Sequence, residues 1–475
     1  MAMRQRPEAT PDAGFPDPLA PLRGLPELPF ERLSVPTSPA AATQNAPMQN
    51  EAGRGGPAPN TSPKVNTHVH LPPNFSAFET VEQAVDLAAD AKLQVLGTSN
   101  YYDFGVYARF AQSARAQGVF PLFGLEIISV VAELKNAGIK INDPDNPGRM
   151  YLCGKGITRF APMPVEAQRL MQTIRDADRA RIEMMIERVT GLMQDNGVYT
   201  AVTAESVRSS LARRYAVPVS SVYLQERHVA EAFQEALFAQ AAGPERTGTL
   251  RRVLAAECAA PDDPVRVQNQ LRSRLMKAGK PAYVEESVLD ADVAYALVLA
   301  LGGVPCYPIL ADGASPVCQF EDPVDDLVEA LAGRGIWCAE IIPSRNTASV
   351  VDQYATTLRG AGIIVLGGTE HNTPELVPIT PECKGGVPVS QSVAELFWEG
   401  ACVMAAHQYL SARGKTGYVD AQGNLSPGFT THDQRISALA GLGATVIDTA
   451  RRPDGERRSE VATTDPTRAA GTTQS

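Results

Sequence analysis

Two histidines one residue apart are the first feature with chemical content. In Val65-Asn66-Thr67-His68-Val69-His70-Leu71, positions 65, 67, 69 and 71 form one face of a strand and Asn66, His68 and His70 the other. Both imidazoles leave the strand on the same side, so they can hold one divalent ion or sit between two. A His-x-His pair also occurs by accident on an edge strand, so the residues able to complete a site decide its weight. Several strand ends supply them. One segment ends in Thr98-Ser99-Asn100, another in Gly124-Leu125-Glu126, a third in Ala311-Asp312-Gly313, and a fourth in Gly367-Gly368-Thr369-Glu370-His371-Asn372. In a parallel barrel the C-terminal strand ends converge on one centre, which is where a metal site belongs.

The elements that must position these residues alternate from Val65 onward. After the first strand, Thr80–Ala91 reads as a helix capped by Thr80, 95–98 as a strand, and Val106–Gln117 as a helix closed by Gly118. Phe120–Ile127 reads as a third strand and Met150–Cys153 as a fourth. Strand and helix in short alternation predict parallel pairing. Residues 164–275 are then helical, with Leu170, Ile174, Ile182, Met185, Ile186, Val189 and Leu192 forming one apolar stripe. The alternation returns in strands at 304–310, 336–342 and 363–366, with helices between them and a last helix near Val389–Gln408. The predicted fold class is α/β: a distorted seven-stranded (β/α) TIM-like barrel with a helical insertion, about 160–280, after the fourth strand.

From Val65 to about Leu376 the order of motifs resembles the PHP (polymerase and histidinol phosphatase) family of metal-dependent phosphoesterases. The motifs are Asn66-Thr67-His68-Val69-His70, Thr98-Ser99-Asn100, Gly124-Leu125-Glu126, Tyr151-Leu152-Cys153-Gly154, Glu226-Arg227-His228-Val229-Ala230, Gly302-Gly303-Val304 running to Ala311-Asp312-Gly313, and Gly368-Thr369-Glu370-His371-Asn372. The resemblance implies a distorted barrel, two or three divalent ions and metal-assisted hydrolysis of a small phosphorylated metabolite or nucleotide. Asn100, Tyr151, Asp312 and Asn372 stand where the family usually has histidine, and His371 falls one place early. The ligand set that the resemblance leaves is His68, His70, Glu126, Asp312, Glu370 and His371, with Asn100 a further oxygen donor. It implies one or two ions among Mn, Mg, Zn and Fe, with the oxygen-rich set favouring Mn²⁺ or Mg²⁺. Glu126 and His371 are the expected catalytic groups. Arg227 and His228 are expected on the phosphate, with Lys155 and Arg345 as further cations. A non-catalytic or regulatory protein on the same scaffold, and a metal-dependent C–N hydrolase, are the alternatives.

Composition excludes some classes and leaves others. Charged residues make up 20% and the formal net charge is −10, so bulk nucleic-acid binding through a basic field is not expected. Seven cysteines without a Cys-x-x-Cys pair predict reduced thiols and a cytoplasmic location. Neither a signal peptide nor a membrane span is legible. Residues 1–63 hold 13 of the 37 prolines and read as a disordered segment with possible docking elements around Leu22–Leu33. The barrel is expected over 64–412, an extension of unknown role over 413–450 and a disordered tail over 451–475.

Overall fold

The computed structural model describes residues 16–28 and 63–452. Within the first stretch, helix α1 (Ala20–Gly24) is docked, with Leu19, Leu22 and Leu25 buried. Arg413 donates to the carbonyls of Leu22, Arg23 and Leu25, and Tyr409 Oη donates to Pro26 O at 3.0 Å. The Pro-rich segment is therefore not uniformly loose. The expectations for 1–15, 29–62 and 453–475 lie outside the described residues.

The first strands and helices follow the apolar pattern. β1 (Lys64–Val69), α2 (Val81–Asp90), β2 (Leu93–Thr98), α3 (Tyr107–Ala116) and β3 (Phe120–Leu122) build a parallel sheet in the order β1-β2-β3. Thr80 caps α2 by accepting from Gln83 N, and Val81, Ala84, Val85 and Ala88 face inward. The expected third strand is broken at Phe123, and β4 (Gly124–Val130) leaves the first sheet for a second.

That second sheet departs from the all-parallel expectation. A five-residue helix α4 (Ala132–Asn136), which buries no residue, follows β4. A crossover to a parallel neighbour needs an element that packs across the sheet, and α4 does not. The chain instead turns back as β5 (Arg149–Lys155), antiparallel to both β4 and the later β7.

Between β5 and the next strand lie α5 (Val165–Asp195), α6 (Ala204–Tyr215), α7 (Glu226–Gln240), α8 (Gly243–Leu254) and α9 (Pro264–Leu271). These helices share a core of their own, which includes Met185, Val189, Phe233, Leu250 and Val267.

The alternation then resumes with β6 (Leu289–Asp290), α10 (Ala291–Ala300), β7 (Val304–Ile309), α11 (Val324–Gly333), β8 (Cys338–Ile341), α12 (Ala348–Gly360) and β9 (Ile364–Gly367). The second sheet runs β6-β4-β5-β7-β8-β9. It meets the first at two isolated parallel bridges, Val69 with Glu370 and Tyr101 with Glu126. The two sheets are not hydrogen-bonded into one continuous cylinder. A short hairpin, β10 (Glu382–Cys383) with β11 (Val387–Pro388), leads to α13 (Gln391–Ala412) and α14 (His432–Arg451).

α13 is buried along its second half, between the strands and α14. The stretch beyond residue 412 thus contributes a structural layer. A Cβ at Gly443 would sit 1.7 Å from Cys402 O, so only glycine permits this helix contact. All seven cysteines are buried and unpaired. Among the described residues no helix is long and apolar enough to cross a membrane.

Candidate metal centre

β1 carries His68, and His70 follows directly after its last residue. His68 and His70 are fully buried. Their Nε2 atoms lie 3.2 Å apart, and Glu126 Oε2 from β4 is 3.1 Å from His70 Nε2 and 3.7 Å from His68 Nε2. These three side chains form a group whose ligand atoms all lie within 4.8 Å of one another. Small residues permit the approach. A Cβ at Gly368 would come 2.4 Å from His68 Cβ.

The tautomer of His68 is fixed from behind. Its Nδ1 lies 2.6 Å from Glu340 Oε2 on β8. Burial would raise the Glu340 carboxyl, but Lys155 and His68 reverse this and hold it at about 2. An ionised carboxylate only accepts, so His68 Nδ1 donates to it and Nε2 is the nitrogen that faces His70 and Glu126.

His70 stacks on Tyr101 with ring centroids 5.0 Å apart, and burial lowers its pKa, so it is neutral near pH 7. Its Nδ1 is buried without a hydrogen-bond partner, and so is Glu126 Oε2. For Glu126, burial raises the pKa, but the facing imidazoles outweigh it and the net direction is down. Two imidazoles whose Nε2 atoms face each other and an ionised carboxylate with a buried, unpartnered oxygen between them fit a divalent cation.

A second group of metal-binding types, His68 with Cys153 and Glu340, does not fit one. Glu340 is already saturated by Thr67, Lys155 and His68.

The other expected ligands are placed elsewhere. Asn100 is tied to the backbone of Leu71, accepting from its N–H at 2.7 Å and donating to its carbonyl at 2.9 Å. Asp312 accepts from Thr347 N and Oγ1. Glu370 pairs with Arg345 and accepts from Asn372 Nδ2 at 3.0 Å. His371 is turned away. Its Nδ1 meets Thr369 Oγ1 at 2.7 Å, its Nε2 meets Val377 O at 3.0 Å, and its ring stacks on Phe78. Burial lowers its pKa to about 4.

The expected phosphate ligands also divide. His228 Nδ1 accepts from Gln225 N at 3.1 Å, closing a capping box at the start of α7, and burial brings its pKa to about 3. Lys155 points into the core beneath His68 instead of toward ligand. Arg227 lines the cavity above the centre and has no acid within ion-pair distance among the described residues. Burial and then the neighbouring Arg272 lower its pKa to about 10, which still leaves it charged.

That cavity measures about 890 Å³ and is bounded by Glu126, Tyr101, Tyr151, Glu370 and Arg345 on the strand side and by the insertion on the other.

No protein-family model and no curated protein matches the chain. Two solved structures are similar in trace. An amidohydrolase from Chromobacterium violaceum, solved with sulfate bound and no metal, aligns at 14% identity over 70% of this chain and 96% of its own, with a TM-score of 0.45. A candidate metal-dependent phosphoesterase from Bifidobacterium adolescentis aligns at 15% identity over 70% and 94%, with a TM-score of 0.42. Superpositions this loose transfer no site, so the chemistry rests on the residues themselves.

Glu340 is the functional residue that motif reading misses. Its signal is nonetheless present in Trp337-Cys338-Ala339-Glu340-Ile341-Ile342, where one acid interrupts an apolar strand. An ionised group in a buried strand must be paired, which alone marks it.

Proposed function

We propose that this chain is a divalent-metal-dependent hydrolase of the PHP type, on a distorted barrel, acting on a small phosphorylated substrate. The observation that carries the reading is the convergence of His68 Nε2, His70 Nε2 and Glu126 Oε2, backed by the Glu340 carboxylate behind His68. A His₂–carboxylate set holds one ion rather than two and is nitrogen-rich, which moves the preference from Mg²⁺ toward Zn²⁺, Fe²⁺ or Mn²⁺. Such an ion, when bound, supplies Lewis acidity and lowers the pKa of coordinated water.

The protein's own groups do the rest. Glu126 is the one member of the trio that lines the cavity, so it marks where substrate meets the centre. Arg227, charged and unpaired, is placed to bind an anionic group of the substrate. Tyr101 covers His70 and shields that side from water.

The test is metal analysis of purified protein together with phosphate release from a panel of phosphorylated metabolites. One equivalent of a transition metal, lost in His68→Ala/His70→Ala along with phosphate release, supports the reading. Metal-free protein without a metal-induced thermal shift refutes it. A binding-only role predicts metal uptake without turnover. Ammonia release in place of phosphate release identifies a C–N hydrolase.

A further inference from the structure

Beneath the metal-facing trio the protein buries a complete ion pair. Lys155 Nζ on β5 lies 2.8 Å from Glu340 Oε1 and 2.7 Å from Oε2, and donates to Thr67 O at 2.9 Å and Ser99 Oγ at 3.0 Å. Thr67 Oγ1 donates to Glu340 Oε1 at 2.6 Å. The ammonium thus has a partner for each of its protons, and the carboxylate accepts on both oxygens before His68 is added. Both side chains are essentially excluded from solvent.

An ion pair this deep is a poor stabiliser, since desolvating the two charges offsets their attraction, and apolar residues of similar volume usually do as well. Its location is therefore informative. Glu340 touches one ring nitrogen of His68, and the other ring nitrogen faces His70 and Glu126.

We infer that Lys155 and Glu340 are positioning residues for the metal centre: the ion pair pins the Glu340 carboxylate against His68 Nδ1, which fixes the imidazole so that Nε2 faces His70 and Glu126, and thereby sets the affinity for the ion. This rests on the metal reading above and adds a role for two residues that touch neither ion nor substrate. The physical step is short. A carboxylate held by Lys155 and Thr67 accepts from Nδ1, so Nε2 is the nitrogen left facing the trio. With a Gln side chain in place of Glu340, an N–H can face Nδ1, and the proton then sits on Nε2, where it blocks the ligand position.

The test uses full-length Lys155→Met, Glu340→Gln and the double variant, with unfolding of metal-free protein and Co²⁺ affinity from visible absorbance as separate readouts. Each single variant leaves a buried polar or charged group unpaired and loses stability. The double variant buries no uncompensated charge, so it regains most of the wild-type stability but binds Co²⁺ roughly 10- to 100-fold more weakly. Wild-type affinity in a stable double variant overturns the inference and leaves the metal reading intact. Wild-type protein that takes up no Co²⁺ overturns the metal reading itself. A measurement on the unsubstituted protein covers the case of a double variant that does not fold. In ¹⁵N-histidine spectra of the metal-free chain, His68 is expected as the Nδ1–H tautomer, and the Nε2–H tautomer overturns the inference.

Discussion

Replacing His371 by Gln distinguishes a metal ligand from a structural pin. The ring is held by Thr369 Oγ1 on Nδ1 and by Val377 O on Nε2, which donates, and it stacks on Phe78 at 4.5 Å. Both nitrogens are in use without a metal, and the ring is neutral. With burial holding its folded pKa at about 4, against an unfolded value near 6.5, the folded state binds the proton less well than the unfolded state. Its contribution is therefore full above about pH 6.5 and is lost as pH falls toward about 4. Between about pH 7 and about pH 5 the loss from this one residue is roughly 2 kcal/mol. Urea unfolding of metal-free wild type and His371→Gln at both pH values isolates it, because the other titrating groups cancel in the difference. The variant is expected to lose about 1–3 kcal/mol near pH 7 through its missing stack and hydrogen bonds. Its further loss on acidification is expected to be smaller than that of wild type by about 2 kcal/mol. Its Co²⁺ affinity should stay within roughly threefold of wild type, since the turn holds His68 and His70 through backbone hydrogen bonds that the substitution leaves in place. A tenfold or larger drop in Co²⁺ affinity with an unchanged pH slope refutes the placement and returns His371 to the ligand set.

Other perturbations test the remaining assignments. Arg227→Met removes a charged contact to substrate worth about 1.5–3 kcal/mol, so KM for a phosphorylated substrate should rise roughly 10- to 150-fold with metal content unchanged. Gly368→Ala drives a methyl against His68 Cβ, where an added carbon would stand at 2.4 Å. It should cost about 1–3 kcal/mol of stability and weaken metal uptake, both measurable by thermal shift with and without Co²⁺. Asp312→Ala removes only contacts to Thr347 and should leave metal stoichiometry at one by elemental analysis.

The strands and helices on which the site stands were readable because each has one dominant periodicity. The His-x-His strand, the capped helix after it and the apolar stripe of α5 all appear where their patterns put them. The direction of β5 was not readable. Strand direction depends on whether the preceding connection packs across the sheet, and residues 131–148 look much like any short helix and loop. At the site, His68, His70 and Glu126 were legible as residues two apart on a strand and an acid at a strand end. Asn100, Asp312 and His371 carry the same signal of a polar group at a strand end, yet each satisfies nearby backbone or side-chain groups instead. Donor type and position do not reveal which way a side chain turns in a loop. Lys155 was misread for the opposite reason. It was expected as a cation for phosphate, and only the acid on β8, far away in sequence, makes its burial possible.

The backbone beyond β9 shows that the residues around the trio are arranged to hold β1 in place. Glu370 and His371 both adopt left-handed conformations, with φ of 61° and 53°. Two consecutive non-glycine residues there carry backbone strain that persists only when surrounding contacts enforce it. Those contacts are on β1. Glu370 N donates to His68 O at 2.8 Å, His70 N donates to Glu370 O at 2.8 Å, and Thr369 N donates to His68 O at 3.2 Å. The strained turn thus grips the backbone of both metal-facing histidines, while Asn100 grips Leu71 just beyond them. Asn100 and Glu370 are in this way used to fix the backbone of His68, His70 and Leu71. The positioning of His68 and His70 from three sides is what favours a single-ion centre over a vestigial one.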